Sequence, residues 1–280
     1  MNNFNDQLKF ATKHPECVKS LDIEFKPTAL PHLVHSSLWP NSVNSNLIVG
    51  EKDTQKKIIR ATSIIRSFIT VEMKDRKFLD FGSGDATCKK AAVEANAAIA
   101  IAYDLNKNDG VSTSWTGVKE SGPFNIVLLY DVIDHMVNAK GELLDVDGII
   151  EVMKEIKGSC TPDCKLYIRC HPWTSRHGTH CYLKSNKAYS HYLSPEYDCL
   201  PTIKITAPIA TYEHIFKSAG YKVIKKQPIE QPVEPIFQTT AFKDFIKHFS
   251  KRNAWMYQKV MSFTFIDFEL TPAHKWNFEC

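Results

Sequence analysis

Short apolar segments alternate with helical segments through the middle of this chain of 280 residues. Four segments of six or seven residues are rich in the apolar and aromatic side chains that buried strands prefer: residues 76–81, 98–104, 124–130 and 165–170. Apolar residues at helical spacing occupy two of the intervening segments, 86–97 and 147–157. Strands that are apolar along their whole length are typical of a parallel sheet with helices on both faces. The sequence therefore predicts a doubly wound α/β fold.

Further helices and strands are predicted on both sides of this alternation. Residues 51–69 carry apolar side chains at helical spacing, with lysines and an arginine between them. Residues 211–219 predict a helix, and residues 221–226 predict a strand directly after it. The last predicted helix covers residues 242–249, and the longest strand-like segment is residues 259–269.

The first 50 residues have a different composition from the rest. They are rich in Pro, Asn and Ser, which favour turns and irregular structure. Residues 1–50 are therefore expected to form an irregular extension, and residues 51–280 the α/β domain.

Composition and charge exclude several classes of protein. Apolar residues make up 43% of the chain and charged residues 24%, as in ordinary globular proteins. The net charge of +4 is too small to indicate nucleic-acid binding by itself. No segment approaches the roughly 18 consecutive apolar residues of a membrane span. No export signal is recognised and the eight cysteines are sparse, so reduced thiols and a cytoplasmic location are expected.

A glycine-containing loop follows the first predicted strand of the alternation. It reads Asp80-Phe81-Gly82-Ser83-Gly84-Asp85-Ala86 and leads directly into a predicted helix. Such a junction lets the backbone approach a ligand closely. Asp104 stands at the end of the next strand, where a carboxylate can accept hydrogen bonds from both hydroxyls of a ribose. The combination predicts a nucleoside-containing cofactor, although Asp80 and Asp104 could also serve only as turn or cap residues.

The loop differs from the dinucleotide fingerprint Gly-x-Gly-x-x-Gly, because Thr87 occupies the position of the third glycine. Its pattern instead resembles motif I of the class I S-adenosylmethionine-dependent methyltransferases, with Ala86 as the last small residue. Residues 124–135 resemble the fourth strand of that family, and residues 212–224 resemble its late helix, glycine and strand. Residues 259–269 are similar to its antiparallel last strand.

The resemblance spans roughly residues 55–270 and implies a specific fold and cofactor. The implied fold is a Rossmann-like, doubly wound and mostly parallel sheet of seven strands, with an antiparallel last strand. The third strand, near residues 111–115, is expected to be abbreviated. The implied cofactor is S-adenosylmethionine. Asp80, Gly82, Ser83 and Gly84 are expected to line its methionine portion, and Asp104 to hold its ribose. Leu105 and Asn106 are expected to flank the adenine, and Asp131 to lie near the reacting end.

An insertion at about residues 171–210 is expected to cover the acceptor, because it follows a strand whose carboxyl end faces the ligand edge of the sheet. Its histidines are candidates for a catalytic base, with one further histidine behind them: His171, His177, His180 and His135. Three other side chains are candidates for acceptor binding: Trp173, Arg176 and Tyr182. Each could equally brace the loop.

The sequence does not predict a metal site, although it contains two pairs of possible ligands. His177 and His180 have a spacing that could share an ion, and Cys160 and Cys164 form a second pair nearby in sequence. Neither pair belongs to a four-ligand signature.

The function predicted is transfer of a methyl group from S-adenosylmethionine to an unidentified small-molecule acceptor. The alternatives are an RNA or DNA methyltransferase, and a cofactor-binding scaffold or accessory subunit without catalysis. A nicotinamide-dependent oxidoreductase is the least favoured of the functions considered. A membrane partner is not expected, and the sequence leaves the oligomeric state open.

Overall fold

The computed structural model describes residues 54–133, 136–138, 144–170, 209–230 and 263–273. Several sequence predictions lie outside these residues: the extension 1–50, residues 171–208 of the insertion, the helix 242–249, and His135. Within the described residues, no helix combines the length and the apolar character needed to cross a membrane.

The described helices and strands alternate along most of the chain. In order they are α1 (Thr54–Ser63), a π-helical turn (Ile64–Phe68), β1 (Lys77–Phe81), α2 (Thr87–Glu94), β2 (Ile99–Tyr103), α3 (Trp115–Ser121), β3 (Phe124–Tyr130), α4 (Val146–Lys157), β4 (Cys160–Cys170), α5 (Ile209–Ser218), β5 (Tyr221–Glu230) and β6 (Phe263–Pro272). The four strands predicted at residues 76–81, 98–104, 124–130 and 165–170 are all present. The strand β4 begins at Cys160, earlier than its apolar part at residues 165–170.

These strands form one sheet in the order β2-β1-β3-β4-β6-β5. The first four in this order pair in parallel, and β6 runs antiparallel to both β4 and β5. The doubly wound arrangement and the antiparallel last strand are therefore confirmed. Pro228 lies within β5. The strand β5 ends the sheet among the described residues, and an edge strand tolerates the missing N–H of proline.

The described sheet has six strands, whereas seven were expected. The abbreviated third strand is reduced to one parallel bridge between Ser112 and Tyr103. It cannot extend further, because Ser114 already caps α3: its Oγ accepts a hydrogen bond from Gly117 N at 3.2 Å. The segment near residues 111–115 thus ends in a helix start and not in a strand.

Apolar side chains fill both faces of the sheet. Leu79, Val127 and Ile168 pack on the face covered by α4 and α5. Phe78, Ile126 and Tyr167 pack on the face covered by α1, the π-helical turn and α2. The carboxyl ends of β1 to β4 meet along one edge, so the loops that follow β1, β2 and β3 lie next to one another.

Candidate functional site

Two glycines shape the loop between β1 and α2. Gly82 and Gly84 both have positive φ angles, +72° and +60°, which side chains other than glycine adopt at a cost. A Cβ atom on Gly82 would lie 2.4 Å from Cγ1 of Val132, whereas a Cβ atom on Gly84 would meet no atom within 4 Å. Gly82 therefore lets the loop pack against the residues after β3, while Gly84 faces open space.

The loop is fastened to the end of β2. The amides of Gly82 and Ser83 donate to Tyr103 O at 2.8 and 3.0 Å. The amide of Gly84 donates to Oδ2 of Asp104 at 2.9 Å. These bonds hold the glycine loop and the Asp104 carboxylate together.

Asp104 also organises its own turn. Its Oδ1 accepts hydrogen bonds from the backbone N and the side-chain Nδ2 of Asn106, at 2.8 and 3.2 Å. A carboxylate offers about four acceptor positions, so capacity for a ligand hydroxyl is left after these three bonds. Asp104 is half-buried and Leu105 is 57% exposed. The turn interpretation and the ligand interpretation of Asp104 are therefore compatible.

A cavity of about 560 Å³ opens beside this loop. Its wall includes a cluster of three aromatic rings, Phe81, Tyr103 and Trp115, whose centroids lie 5.1 to 5.5 Å apart. The remaining lining residues are Gly82, Asp104, Leu105, Asn106, Val132, Met136, Val137, Glu151, Val152 and Glu155. A mostly apolar cavity of this size with a few polar groups at its rim has the dimensions of a small-molecule site.

The sequence missed part of this wall. A short strand was expected near residues 111–115, but Trp115 is the first residue of α3 and lines the cavity. Ser114 before it is a typical helix cap, which is the signal that could have placed Trp115 correctly.

Asp80 is buried at the carboxyl end of β1, with 3% of its surface exposed. Among the described residues, its Oδ2 and the Oγ of Ser83 are buried without a hydrogen-bond partner. Burial raises the pKa of Asp80 to about 8, with smaller contributions from Asp85 and Asp104 that Arg60 partly offsets. Buried polar atoms without partners are uncommon in proteins, so this corner is suited to a polar ligand group.

A small pocket of about 120 Å³ lies over these two side chains, between β1 and α1. Gly82 lines both this pocket and the larger cavity, so the two adjoin at the glycine loop. We refer to them as the Asp80 pocket and the main cavity.

Asp85 occupies the amino end of α2. Its Oδ1 accepts hydrogen bonds from the backbone N and the hydroxyl of Thr87 at 2.9 and 2.5 Å, and its Oδ2 accepts one from Lys57 at 3.0 Å. Burial alone would raise the pKa of Asp85, but these bonds outweigh it and hold the pKa below its usual range. The chain thus places its own carboxylate at this helix terminus.

Asp131 follows β3 and adopts a left-handed conformation, with φ of 63°. Its amide donates to Arg169 O at 2.9 Å, so it stands at the same edge of the sheet. It lines neither the main cavity nor the Asp80 pocket, and its assignment to the cofactor stays a prediction.

The remaining site predictions fall outside the described residues: His135, His171, Trp173, Arg176, His177, His180 and Tyr182. They stay predictions. In the described part of the chain, no group of three or more His, Cys, Asp or Glu side chains could hold a metal ion.

No protein-family model matches the chain, and no curated protein matches it in sequence. Solved structures do match it in three dimensions. One is an S-adenosylmethionine-dependent methyltransferase from Archaeoglobus fulgidus, with a TM-score of 0.53 and 14% identity over 81% of this chain and 97% of that one. Another, from Mesorhizobium loti, is also named as such a methyltransferase, with a TM-score of 0.45 and 8% identity over 76% of this chain and 99% of that one.

A third similar structure is 1,6-didemethyltoxoflavin-N1-methyltransferase from Burkholderia thailandensis, solved with S-adenosylhomocysteine bound. Its TM-score is 0.43, at 9% identity over 79% of this chain and 80% of that one. The fold assignment rests on the first of the three, whose score exceeds 0.5, and on the strand order of the sheet. The chain has the fold of the class I S-adenosylmethionine-dependent methyltransferases.

Proposed function

We propose that the chain is a methyltransferase that binds S-adenosylmethionine in the main cavity and the Asp80 pocket. One observation carries the proposal. The loop Gly82–Gly84 joins a cavity with aromatic walls to a pocket that contains two buried polar atoms without partners, and the Asp104 carboxylate stands at the rim. A molecule with an apolar base, a ribose and a charged amino-acid end matches these three environments in order.

Each part of the cofactor has a counterpart in the chain. Phe81, Tyr103 and Trp115 offer the flat surfaces that an adenine ring packs against. Asp104 would accept a hydrogen bond from a ribose hydroxyl, and Asp80 and Ser83 would accept hydrogen bonds from the ammonium group. When bound, S-adenosylmethionine supplies a methyl group on a positively charged sulfur, which a nucleophilic atom of the acceptor displaces.

The chain's own task is to align the acceptor and exclude water. We assign the exclusion of water to the insertion at residues 171–210, where Trp173, Arg176 and Tyr182 are the candidate contacts to a small-molecule acceptor. Where the acceptor carries a proton that must leave, His171, His177, His180 and His135 are the candidate bases. Asp131 is proposed to lie near the reacting end.

The residues at the amino end of α2 do not favour a dinucleotide cofactor. In a dinucleotide-binding fold, the pyrophosphate sits at the amino end of the helix after the glycine loop. Here Asp85 occupies that position and is fixed by Lys57 and Thr87. A pyrophosphate would meet a like charge instead of free amides, so NAD is expected to bind poorly.

A turnover assay tests the proposal. The purified chain is incubated with methyl-labelled S-adenosylmethionine and, in separate samples, with a small-molecule extract, with RNA and with DNA. We expect label in the small-molecule sample, together with an equal amount of S-adenosylhomocysteine. Label in a nucleic-acid sample would indicate the alternative acceptor class, and cofactor binding without any label transfer would indicate a scaffold.

Replacing Asp80 tests whether the buried carboxyl is kept for a ligand. The pKa of Asp80 is about 8 in the folded chain against an ordinary 3.8, so between these values the folded state holds a proton that the unfolded state has lost. The free energy of unfolding therefore falls by about 1.4 kcal/mol per pH unit as the pH rises through this window. Asp80→Asn is expected to lose this slope and to be more stable than the parent at the upper end of the window, while binding S-adenosylhomocysteine more weakly.

Urea denaturation at several pH values between the two pKa values measures the effect. Asp109→Asn is a matched control, because Asp109 is exposed and lines none of the cavities described here. A pH slope that survives unchanged in Asp80→Asn would show that Asp80 is ionised in the folded chain and would contradict its assigned role.

A further inference from the structure

A third cavity, of about 360 Å³, lies on the sheet face that carries α1 and the π-helical turn. Strands β4, β6 and β5 form its floor, and Arg60, Ile64 and Phe68 form part of its wall. We call it the aromatic groove. Arg60, Ile64 and Tyr130 also line the Asp80 pocket, so the groove reaches the proposed cofactor site at that end.

The floor of the groove is held rigidly by Arg169. Its Nε and Nη2 donate to the two carboxylate oxygens of Asp267 at 2.7 and 2.6 Å, and its Nη1 donates to the hydroxyl of Tyr130 at 2.5 Å. The guanidinium also lies 4.8 to 5.3 Å from the ring centroids of Tyr130, Phe265 and Phe68. A paired and stacked arginine of this kind fixes the rings around it.

A second set of contacts fixes the other end of the floor. The hydroxyls of Thr70 and Tyr167 are 2.9 Å apart, and Thr70 donates to Oε2 of Glu269 at 3.2 Å. Lys165 lies 3.6 Å from the other carboxylate oxygen of Glu269. Both carboxylates that line the groove, Asp267 and Glu269, therefore already have a cationic partner.

Two basic side chains also line the groove, those of Arg60 and Lys225. Arg60 lies with its guanidinium 4.9 Å above the Tyr130 ring, and Lys225 projects from β5; both are exposed. Within the described ranges, neither is within ion-pair distance of a carboxylate, whereas Lys57 and Lys226 beside them both are. The groove thus combines aromatic walls, carboxylates that already have partners, and two exposed cations that no carboxylate of the described residues pairs with.

We propose that the aromatic groove binds the methyl acceptor, and that this acceptor carries a flat ring and an anionic group. The ring packs against Phe68 and Tyr130, and the anion is held by Arg60 and Lys225. The volume of about 360 Å³ admits a ligand of one or two rings. The assignment of the ligand as acceptor rests on the proposed function, while the binding site itself does not. A carboxylate and a phosphate have the same recognition chemistry here, and the experiment separates them.

The test is titration of the purified chain, by isothermal calorimetry or ligand-observed NMR, with three probes. They are 4-hydroxybenzoate, phenyl phosphate and the uncharged 4-hydroxybenzamide. We expect one or both anions to bind at millimolar concentrations or better, and the amide to bind more weakly. Equal binding of the amide, or no binding of any probe, would overturn the proposal.

Matched variants locate the site. Lys225→Gln and Arg60→Gln are expected to weaken anion binding, each by roughly three- to tenfold, because each removes one charged contact. Lys222→Gln is the control: Lys222 is exposed on the same strand and lies outside the groove. Equal affinity of the parent, Lys225→Gln and Lys222→Gln would place the anion elsewhere and contradict the proposal.

Titration of the same proteins with S-adenosylhomocysteine separates the two proposals. Anion binding that depends on Lys225, in a chain that does not bind S-adenosylhomocysteine, would refute the proposed function and leave the groove as a ligand site. S-adenosylhomocysteine binding without any anion binding would refute the groove alone. Where both ligands bind, saturation with one is expected to leave room for the other.

Discussion

Asp104→Ala is expected to weaken binding of S-adenosylmethionine by roughly tenfold to a hundredfold, because a hydrogen bond between the charged carboxylate and a ribose hydroxyl is lost. The variant also removes the acceptor for the Gly84 and Asn106 amides, which lie 2.9 and 2.8 Å from the carboxylate. The glycine loop is then less well ordered, which adds to the loss. Isothermal titration with S-adenosylmethionine and with S-adenosylhomocysteine measures the effect.

Asp109→Ala provides the comparison for this variant. Asp109 lies in the same loop and is exposed, so its removal changes the local charge by the same amount without touching the cavity. We expect its affinity to stay close to that of the parent. Equal affinities for Asp104→Ala and the parent would remove Asp104 from the site.

Gly82→Ala is expected to destabilise the folded chain by about 2–4 kcal/mol. The positive φ of 72° costs an alanine roughly 1–2 kcal/mol, and the clash with Val132 adds about as much again. Gly84→Ala has the same backbone cost but meets no atom within 4 Å, so the expected loss is only about 1–2 kcal/mol. Urea denaturation of both variants at one pH gives the comparison.

A double variant separates the clash from the backbone strain. In Gly82→Ala combined with Val132→Ala, the two methyl groups that lie 2.4 and 2.7 Å from the new Cβ are gone. We expect the double variant to be more stable than the sum of the two single losses predicts. Strict additivity, or equal losses for Gly82→Ala and Gly84→Ala, would show that the loop does not pack against Val132 as described.

The sequence allowed most of the sheet to be predicted, because buried parallel strands leave an unbroken apolar pattern that local reading detects. The glycine loop and Asp104 were also predictable, since each stands directly after a strand and strands of one direction bring their carboxyl ends together. The prediction of a third strand near residues 111–115 was wrong for a local reason. The hydroxyl of Ser114 caps the helix α3 by accepting a hydrogen bond from the amide of Gly117. Because the helix begins there, the pairing with β2 does not continue past Ser112.

The aromatic groove could not be predicted, because it depends on contacts between distant residues. Arg169 and Asp267 are separated by 98 residues and meet through the antiparallel pairing of β4 with β6. Nothing in the local pattern of either strand sets that register. The burial of Asp80 was hidden for a similar reason: α1 and β3 close over it, and neither adjoins it in sequence.

The central claim is that the main cavity and the Asp80 pocket bind S-adenosylmethionine, and isothermal titration of the intact chain tests it most directly. We predict one binding site for S-adenosylmethionine and for S-adenosylhomocysteine with micromolar dissociation constants, and no comparable binding of NAD. Near neutral pH, we also predict net proton release in buffers of different ionisation enthalpy, because a bound ammonium group would ionise the carboxyl of Asp80, whose pKa is about 8. An intact chain that binds neither methyl-donor ligand, or that binds NAD equally well, would contradict the account and leave only the fold.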